Sequence, residues 1–303
     1  MHNLALPPPK LAMNLANACR LILLAAIWGA SFLFMRIAVP SLGPIWLISA
    51  RIGLAAVFLA LVAQILKQPF AFKHWREYLT LGLLNTALPF LAYGFAARTL
   101  NASMMAILNA TAPIWGAVIM ALIVRKMPSF KVGLGLLIGM SGVAVLLGFD
   151  HIIDKPGATL GIVACLSATL CYGIASAYTK LKASHIAPFQ VANGSMWGAS
   201  LFLLPLFVSS QPVSTPPPTV WLAIAGLAIL CTGVAYLLYF RLVREIGAAS
   251  TLTVTFLIPL FGVLWGALFL GEHIGGNTLI GAMIILLGTA LVTGFKLSII
   301  KSR

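Results

Sequence analysis

Ten runs of about twenty mainly apolar residues follow one another along the chain, joined by connections too short to fold as soluble domains. About twenty residues is the length that carries an α-helix across the hydrocarbon of a bilayer. A backbone in hydrocarbon must satisfy its polar groups within its own segment, so each run is expected to be helical. The spans read roughly as Cys19 to Ala38, Pro44 to Leu66, Trp75 to Ala97, Asn101 to Val124 and Phe130 to Phe149, then Ala158 to Thr179, Ala187 to Val208, Thr219 to Phe240, Ala248 to Leu270 and Gly276 to Phe295. With 61% hydrophobic and 8% charged residues and a mean hydropathy of +1.06, the chain has the composition of an all-α polytopic membrane protein.

The net charge of +14 is spread singly over the ends of the apolar runs, which fits membrane topology and not a nucleic-acid partner. Short loops rich in lysine and arginine stay in the cytoplasm. With both termini cytoplasmic, fifteen basic residues fall inside, only Arg36, Arg98 and Lys155 fall outside, and Arg51 lies within the second span. The inside set runs from Lys10 and Arg20 through Arg125, Lys126, Lys180, Arg241 and Arg244 to Lys296 and Arg303. The A-x-A-like triplet at Ala16 to Ala18 precedes the first apolar run, the reverse of a signal peptide, so that span is expected to be retained. The four cysteines, Cys19, Cys165, Cys171 and Cys231, show no disulfide or metal spacing, and neither a metal nor a cofactor is expected.

The two halves repeat each other. At an offset of 146, Trp75 meets Trp221, Thr86 meets Thr232, Tyr93 meets Tyr239, Arg98 meets Arg244, Pro113 meets Pro259 and Gly142 meets Gly288. At an offset of 144, Gly29 meets Gly173 and Pro44 meets Pro188, while Trp28 and Arg36 meet Tyr172 and Lys180. Five spans per half is an odd number, so the second half enters the membrane upside down. The expected organisation is a tail over residues 1–18, a first five-helix repeat over 19–149, a second, inverted repeat over 158–295, and a tail over 296–303. Two inverted halves can exchange conformations and open a shared midplane site to each side in turn.

Proline inside a helix removes one backbone hydrogen bond, so Pro113 is expected to free the carbonyl of Asn109, and Pro259 that of Thr255. Free polar backbone at that depth is tolerated in buried or wet surroundings and points to a binding site. Asn85 and Pro89 repeat the spacing and suggest a third kink, unshared because Ala235 holds the matching position.

The five acids, Glu77, Asp150, Asp154, Glu245 and Glu272, and all five histidines lie in loops or at helix ends. A proton relay or hydrolase built on an interior carboxylate or histidine is thereby disfavoured, and no catalytic residue is assigned. The interior instead offers aromatic rings, hydroxyls and amides, a lining suited to a small amphipathic zwitterion. Arg51 could bind a carboxylate from its place inside the second span, but snorkelling to the nearby interface is the favoured expectation. Arg36 and Arg98 are read as complements to helix dipoles, and Glu272 as a cap on the last helix. Gly133, Gly135, Gly139, Gly142, Gly281 and Gly288 are expected to pack the fifth helix on the tenth and offer a place for a homodimer contact.

The stretch WGASFLFMR, the Arg51-bearing start of the second span, Pro113 and Pro259 in mid-helix, and LGEHIGGNTLIGAMIILLG from Leu270 to Gly288 together resemble the EamA family of the drug/metabolite transporter superfamily, and within it the YddG-type amino-acid exporters. The resemblance implies a bacterial inner-membrane carrier that exports small metabolites, amino acids foremost, from a central cavity between the repeats. It implies a cavity lined by Trp28, Tyr93, Asn109 and Trp115 from the first half and by Tyr172, Tyr239 and Thr255 from the second, beside Pro113 and Pro259. One departure is that Arg125 and Lys126 stand where the second half has Gly271 and Glu272. A carrier of bulky cationic drugs with the same fold, a channel, and a membrane-embedded enzyme are the competing classes.

Overall fold

The computed structural model describes residues 15–68, 70–148 and 156–293. The expected tails and the segment with Asp150, Asp154 and Lys155 lie outside the described residues, apart from the start of the first helix. Ten helical spans follow in order: α1 (Leu15–Leu42), α2 (Pro44–Ile65), α3 (Phe72–Ala96), α4 (Ala102–Val124), α5 (Phe130–Gly148), α6 (Ala158–Ala183), α7 (Pro188–Ser209), α8 (Pro218–Ile246), α9 (Val254–Leu270) and α10 (Gly276–Thr293). Among the described residues eight of these are long and apolar enough to cross a membrane, and α5 and α9 are shorter apolar helices.

Proline sits at the first helical position of α2, α7 and α8, where its missing N–H costs nothing and its fixed φ favours helix entry. The matched Pro44 and Pro188 open helices of equal length, 22 residues each. Several helices run past the apolar stretch that marked them. α6 continues through Lys180 and Lys182 to Ala183, and α8 through Arg241, Arg244 and Glu245 to Ile246. Apolarity marks the lipid-crossing part of a helix, whereas its hydrogen bonding continues into the polar interface.

The packing has the symmetry of an inverted repeat. α1 packs on α9 and α6 on α4; α3 packs on α7 and α8 on α2; α5 pairs with α10 and α2 with α7. Exchanging the halves converts each contact into another member of the set. Glycines make the tightest of these approaches. A Cβ on Gly29 would lie 2.8 Å from the Phe261 Cβ, and one on its counterpart Gly173 would lie 2.9 Å from the Gly116 nitrogen. The α5–α10 seam is similarly close: a Cβ on Gly135 would meet the Gly288 carbonyl at 2.8 Å, and one on Gly142 the Ile285 nitrogen at 2.7 Å. Gly133 has nothing within 4 Å and takes no part. Large apolar side chains such as Leu61, Leu122, Leu137, Leu201 and Leu268 remain exposed around the outside, as a lipid-facing surface requires.

The third helix of each repeat departs from α-geometry at the same place. α3 contains a π-helical stretch at Leu83–Ala87 and α8 one at Gly226–Val234, and the 146-residue offset superimposes them. The irregularity expected near Asn85 is therefore present, but it is shared by the repeat even though Pro89 is not. π-bulges place side chains at registers a regular helix cannot reach and recur at functional sites.

Candidate functional site

The seam between the halves is closed by two ring pairs. Trp28 of α1 lies against Tyr239 of α8, centroids 5.7 Å apart and planes tilted by 41°. Tyr172 of α6 stacks on Tyr93 of α3 at 6.4 Å and 28°. Trp28 and Tyr172 are repeat counterparts, as are Tyr239 and Tyr93, so the two pairs are images of one contact made between the first helix of one repeat and the third of the other. Phe32 adds an edge-on contact to Tyr93 at 5.4 Å, and Phe240 touches both Tyr239 and Tyr236. Each such contact contributes about 0.5–1.5 kcal/mol beyond area burial. Tyr93 is buried, and its hydroxyl donates to the Asn109 Oδ1 at 2.9 Å, fixing α4 against α3.

The two broken helices differ in where they break. α4 is interrupted by a turn at Ala110–Thr111, immediately before the segment that Pro113 helps to open. The Ala110 carbonyl accepts the Thr289 hydroxyl of α10 at 3.0 Å, and the Thr111 hydroxyl donates to the Leu108 carbonyl at 2.8 Å. In the second half the turn falls at Leu252–Thr253, six residues ahead of Pro259, which is buried within α9. The helix thus runs through Pro259, and its interruption does not fall at the position that matches the break in α4. Thr255 lies in the first turn of α9, and its amide and hydroxyl both donate to the Leu252 carbonyl, at 3.1 and 2.8 Å. Pro259 is the sixth residue of α9 and offers no N–H to the Thr255 carbonyl, so that carbonyl lacks its intrahelical donor while the helix itself continues through the proline.

Of the residues expected to line the cavity, Trp28 and Tyr239 make one ring pair, and Tyr93, Tyr172 and Asn109 make the other with its hydrogen bond. Trp115 joins neither ring pair; its backbone and Cβ abut the position of Gly173. Pro113 and Thr255 serve the helix breaks.

Arg51 does not snorkel. It is 4% exposed, its Cζ stands 3.9 Å above the Phe90 ring centroid, and its Nε donates to the Thr232 Oγ1 at 3.3 Å. Tyr172, Tyr236 and Cys231 lie within electrostatic reach of the guanidinium. The π-helical stretch of α8 carries Thr232, whose own hydroxyl donates to the Leu227 carbonyl five residues back at 2.8 Å, leaving its lone pairs to the arginine. The interior thus holds a cation, on the face of Phe90, one helical turn before Tyr93 on α3.

Nothing in the sequence separates Phe32 and Phe90 from the other phenylalanines among its 17.

Two charges hold the turn between α3 and α4. The Arg36 Nη1 donates to the Ala97 carbonyl at 2.7 Å, capping the end of α3 from α1. The Glu272 carboxylate accepts from the Ala102 amide at 2.6 Å, the Ser103 amide at 3.0 Å and the Ser103 hydroxyl at 2.5 Å, capping the start of α4. Glu272 was expected to cap the last helix; α10 begins only at Gly276, and the open amides within its reach are those of α4. Arg125 and Gly271, at matching positions, both close their helices in the left-handed conformation, with φ of 53° and 62°.

A cavity of about 720 Å³ opens elsewhere, between the end of α2 and α7, lined by Lys67, Phe72, Asn193 and Trp197 among others. It is a surface groove to which none of the ring pairs contributes, so the interior constellation remains the candidate site.

A family model described as the EamA-like transporter family matches the chain twice, over residues 17–148 and 159–294. The chain belongs to the EamA-like transporter family. Its relatives include the "Uncharacterized transporter YoaV" of Bacillus subtilis (strain 168), 25% identical over 282 residues, covering 90% of this chain and 95% of that protein. They also include a "Probable amino-acid metabolite efflux pump" of Escherichia coli (strain K12), 24% identical and covering 88% and 91% of the two chains. A crystal structure that is 17% identical shares the fold, with a TM-score of 0.61 over 92% of this chain and 96% of its own. This EamA-like protein is therefore a multi-pass transporter of a family with bacterial members, and its two family matches each hold one member of both ring pairs.

Proposed function

We propose that this EamA-like transporter exports amino acids or closely similar metabolites by alternating access, its two inverted halves rocking about the site between the ring pairs. The observation that carries the reading is the repeat symmetry of the Trp28–Tyr239 and Tyr93–Tyr172 contacts. An interface made of two images of one contact gives two conformations of similar energy, because loosening one pair while tightening its image exchanges the roles of the halves. Aromatic faces suit an amino-acid side chain, and the hydroxyls and amides around them suit its polar end. The efflux-pump name of the Escherichia coli relative supports the direction and the substrate class.

The positive-inside distribution supports cytoplasmic termini, and the bacterial members of the family support a place in the inner membrane. A carrier of bulky cations is disfavoured by the buried Arg51, whose charge repels such a substrate from the site. The test is uptake by proteoliposomes of a panel of labelled amino acids set beside bulky organic cations. Saturable transport of one or more amino acids is expected, and transport of the cations alone would contradict the reading.

A further inference from the structure

We propose that Arg51 is the anchor for a substrate carboxylate, held in the interior with its guanidinium fork open to receive the two oxygens. The inference rests on the transport reading above and gives it a chemical requirement: the cargo carries one negative group.

Four observations lead to it. First, Arg51 lies seven residues past the Pro44 start of α2, about 10 Å along the helix, and its side chain runs to Phe90 and Thr232 instead of the interface. An arginine at that depth is costly, and such residues characteristically pair with an opposite charge or mark a substrate path.

Second, no opposite charge of the protein reaches it among the described residues. Glu245 is engaged by Arg20 and Arg241, Glu272 caps α4, and Glu77 stands in the first turn of its helix. The ring of Phe90 covers one face of the guanidinium and Thr232 takes Nε; no described residue accepts from either Nη nitrogen. Arginine's planar fork binds a carboxylate through two parallel hydrogen bonds, so two donors held on a fixed plane form half of such a pair.

Third, the architecture packs without this charge. The repeat counterpart of Arg51 is Ser195, at the same position of the equally long α7, buried and bonded to its own helix through the Ala192 carbonyl at 3.0 Å. Thr86, the counterpart of Thr232, is also fully buried, and its hydroxyl has no partner. The inverted repeat therefore supplies its own comparison: the same helix contact is built once with serine and once with arginine.

Fourth, the ring that Arg51 stacks on, Phe90, stands one helical turn before Tyr93 on α3, and Tyr93 pairs with Tyr172, so a carboxylate on Arg51 leaves the rest of a small molecule toward the aromatic faces. A single guanidinium balances one negative charge. A phosphate monoester, carrying about −1.5 to −2 at neutral pH, would bring an uncompensated charge into the membrane interior, so a carboxylate fits and a phosphate does not.

The full-length protein, purified and reconstituted, is tested for binding by competition and by thermal stabilisation with two series. One is phenylalanine, phenylalaninamide, phenethylamine and 3-phenylpropionate; the other is leucine, leucinamide, isoamylamine and 4-methylpentanoate. The wild-type protein is expected to bind the amino acid about 10-fold or more tightly than its amide or amine, the worth of a hydrogen-bonded charge pair. Arg51→Lys should keep a reduced preference and Arg51→Gln should abolish it, bringing acid and amide to within about 2-fold of each other; loss of packing alone would weaken both equally. Amide and amine binding as well as the acid in the wild-type protein would overturn the role of Arg51 while leaving amino-acid transport standing, and this comparison needs no variant to fold. Binding of the deaminated acids but of neither amino acid would overturn the amino-acid reading and keep Arg51 as anchor. Absence of binding throughout both series would count against both.

Discussion

Tyr93 and Tyr172 stack across the seam between the repeats at 6.4 Å, and the same contact recurs between their counterparts Tyr239 and Trp28 at 5.7 Å. One interaction used twice in opposite orientations makes a testable demand on both copies. Tyr172→Ala and Tyr239→Ala should each lower transport by about 10-fold, the upper value of an aromatic pair, and by similar factors. Trp115→Ala, which removes a ring outside both pairs, should change it by less than about 2-fold. Initial rates in proteoliposomes, normalised to folded protein, make the comparison; a larger loss with Trp115→Ala would misplace the site.

The Tyr93 hydroxyl gives a finer test. Tyr93→Phe keeps the ring but deprives the Asn109 Oδ1 of its donor, at a cost of about 1–2 kcal/mol. The melting temperature in detergent should fall, and Asn109→Ala added to Tyr93→Phe should cost less than the sum of the two changes, because both delete one bond.

Glu272 holds the α9–α10 connection to the start of α4 through two backbone amides and a hydroxyl. Replacing it with alanine leaves those donors open, and a loss of about 1–2 kcal/mol is expected from the removed cap. Glu272→Gln retains an acceptor and should lose about half as much. Thermal unfolding of the three proteins side by side decides this, and an unchanged midpoint for Glu272→Ala would refute the cap.

Arg125 ends α4 with φ of 53°, where its counterpart in the second half is Gly271 at 62°. A side chain in the left-handed region costs about 1–2 kcal/mol relative to glycine. Arg125→Gly should therefore raise stability by about 1 kcal/mol and leave transport rates unchanged.

The glycines of the α5–α10 seam separate contact from composition. Gly142→Leu would drive a side chain into the Ile285 backbone, and overpacking of this kind costs about 1–3 kcal/mol. Gly133→Ala meets nothing within 4 Å and should be neutral or stabilising by up to about 1 kcal/mol. Folded yield and melting temperature would distinguish them.

What was readable in the sequence was whatever the duplication wrote twice. Trp28, Tyr172, Tyr93 and Tyr239 could be chosen because each has a counterpart at a fixed offset, and the glycines of α5 and α10 because they recur at matching intervals. Arg51 is not written twice, because serine, Ser195, holds its matching position. Its helix is apolar all round, so nothing in its pattern says which face looks inward, and a long side chain can satisfy a snorkelling geometry as well as an interior one. Glu272 meets its amides 170 residues back in the chain, a contact set by how α9 and α10 dock on α4 and not by local sequence. The turn ahead of α9 is illegible for a related reason: Pro259 shows that one hydrogen bond is missing inside the helix, but the turn lies upstream, where the Thr251, Thr253 and Thr255 hydroxyls donate to the carbonyls of Gly247, Ser250 and Leu252.

Two inverted halves that open one site to each side in turn are tested most directly by counterflow in proteoliposomes. Vesicles loaded with a high concentration of a transported amino acid should take up the labelled compound transiently above equilibrium, at a rate that saturates with external concentration. Uptake that rises linearly without saturation and ignores the internal amino acid would show a continuous pathway and contradict the account.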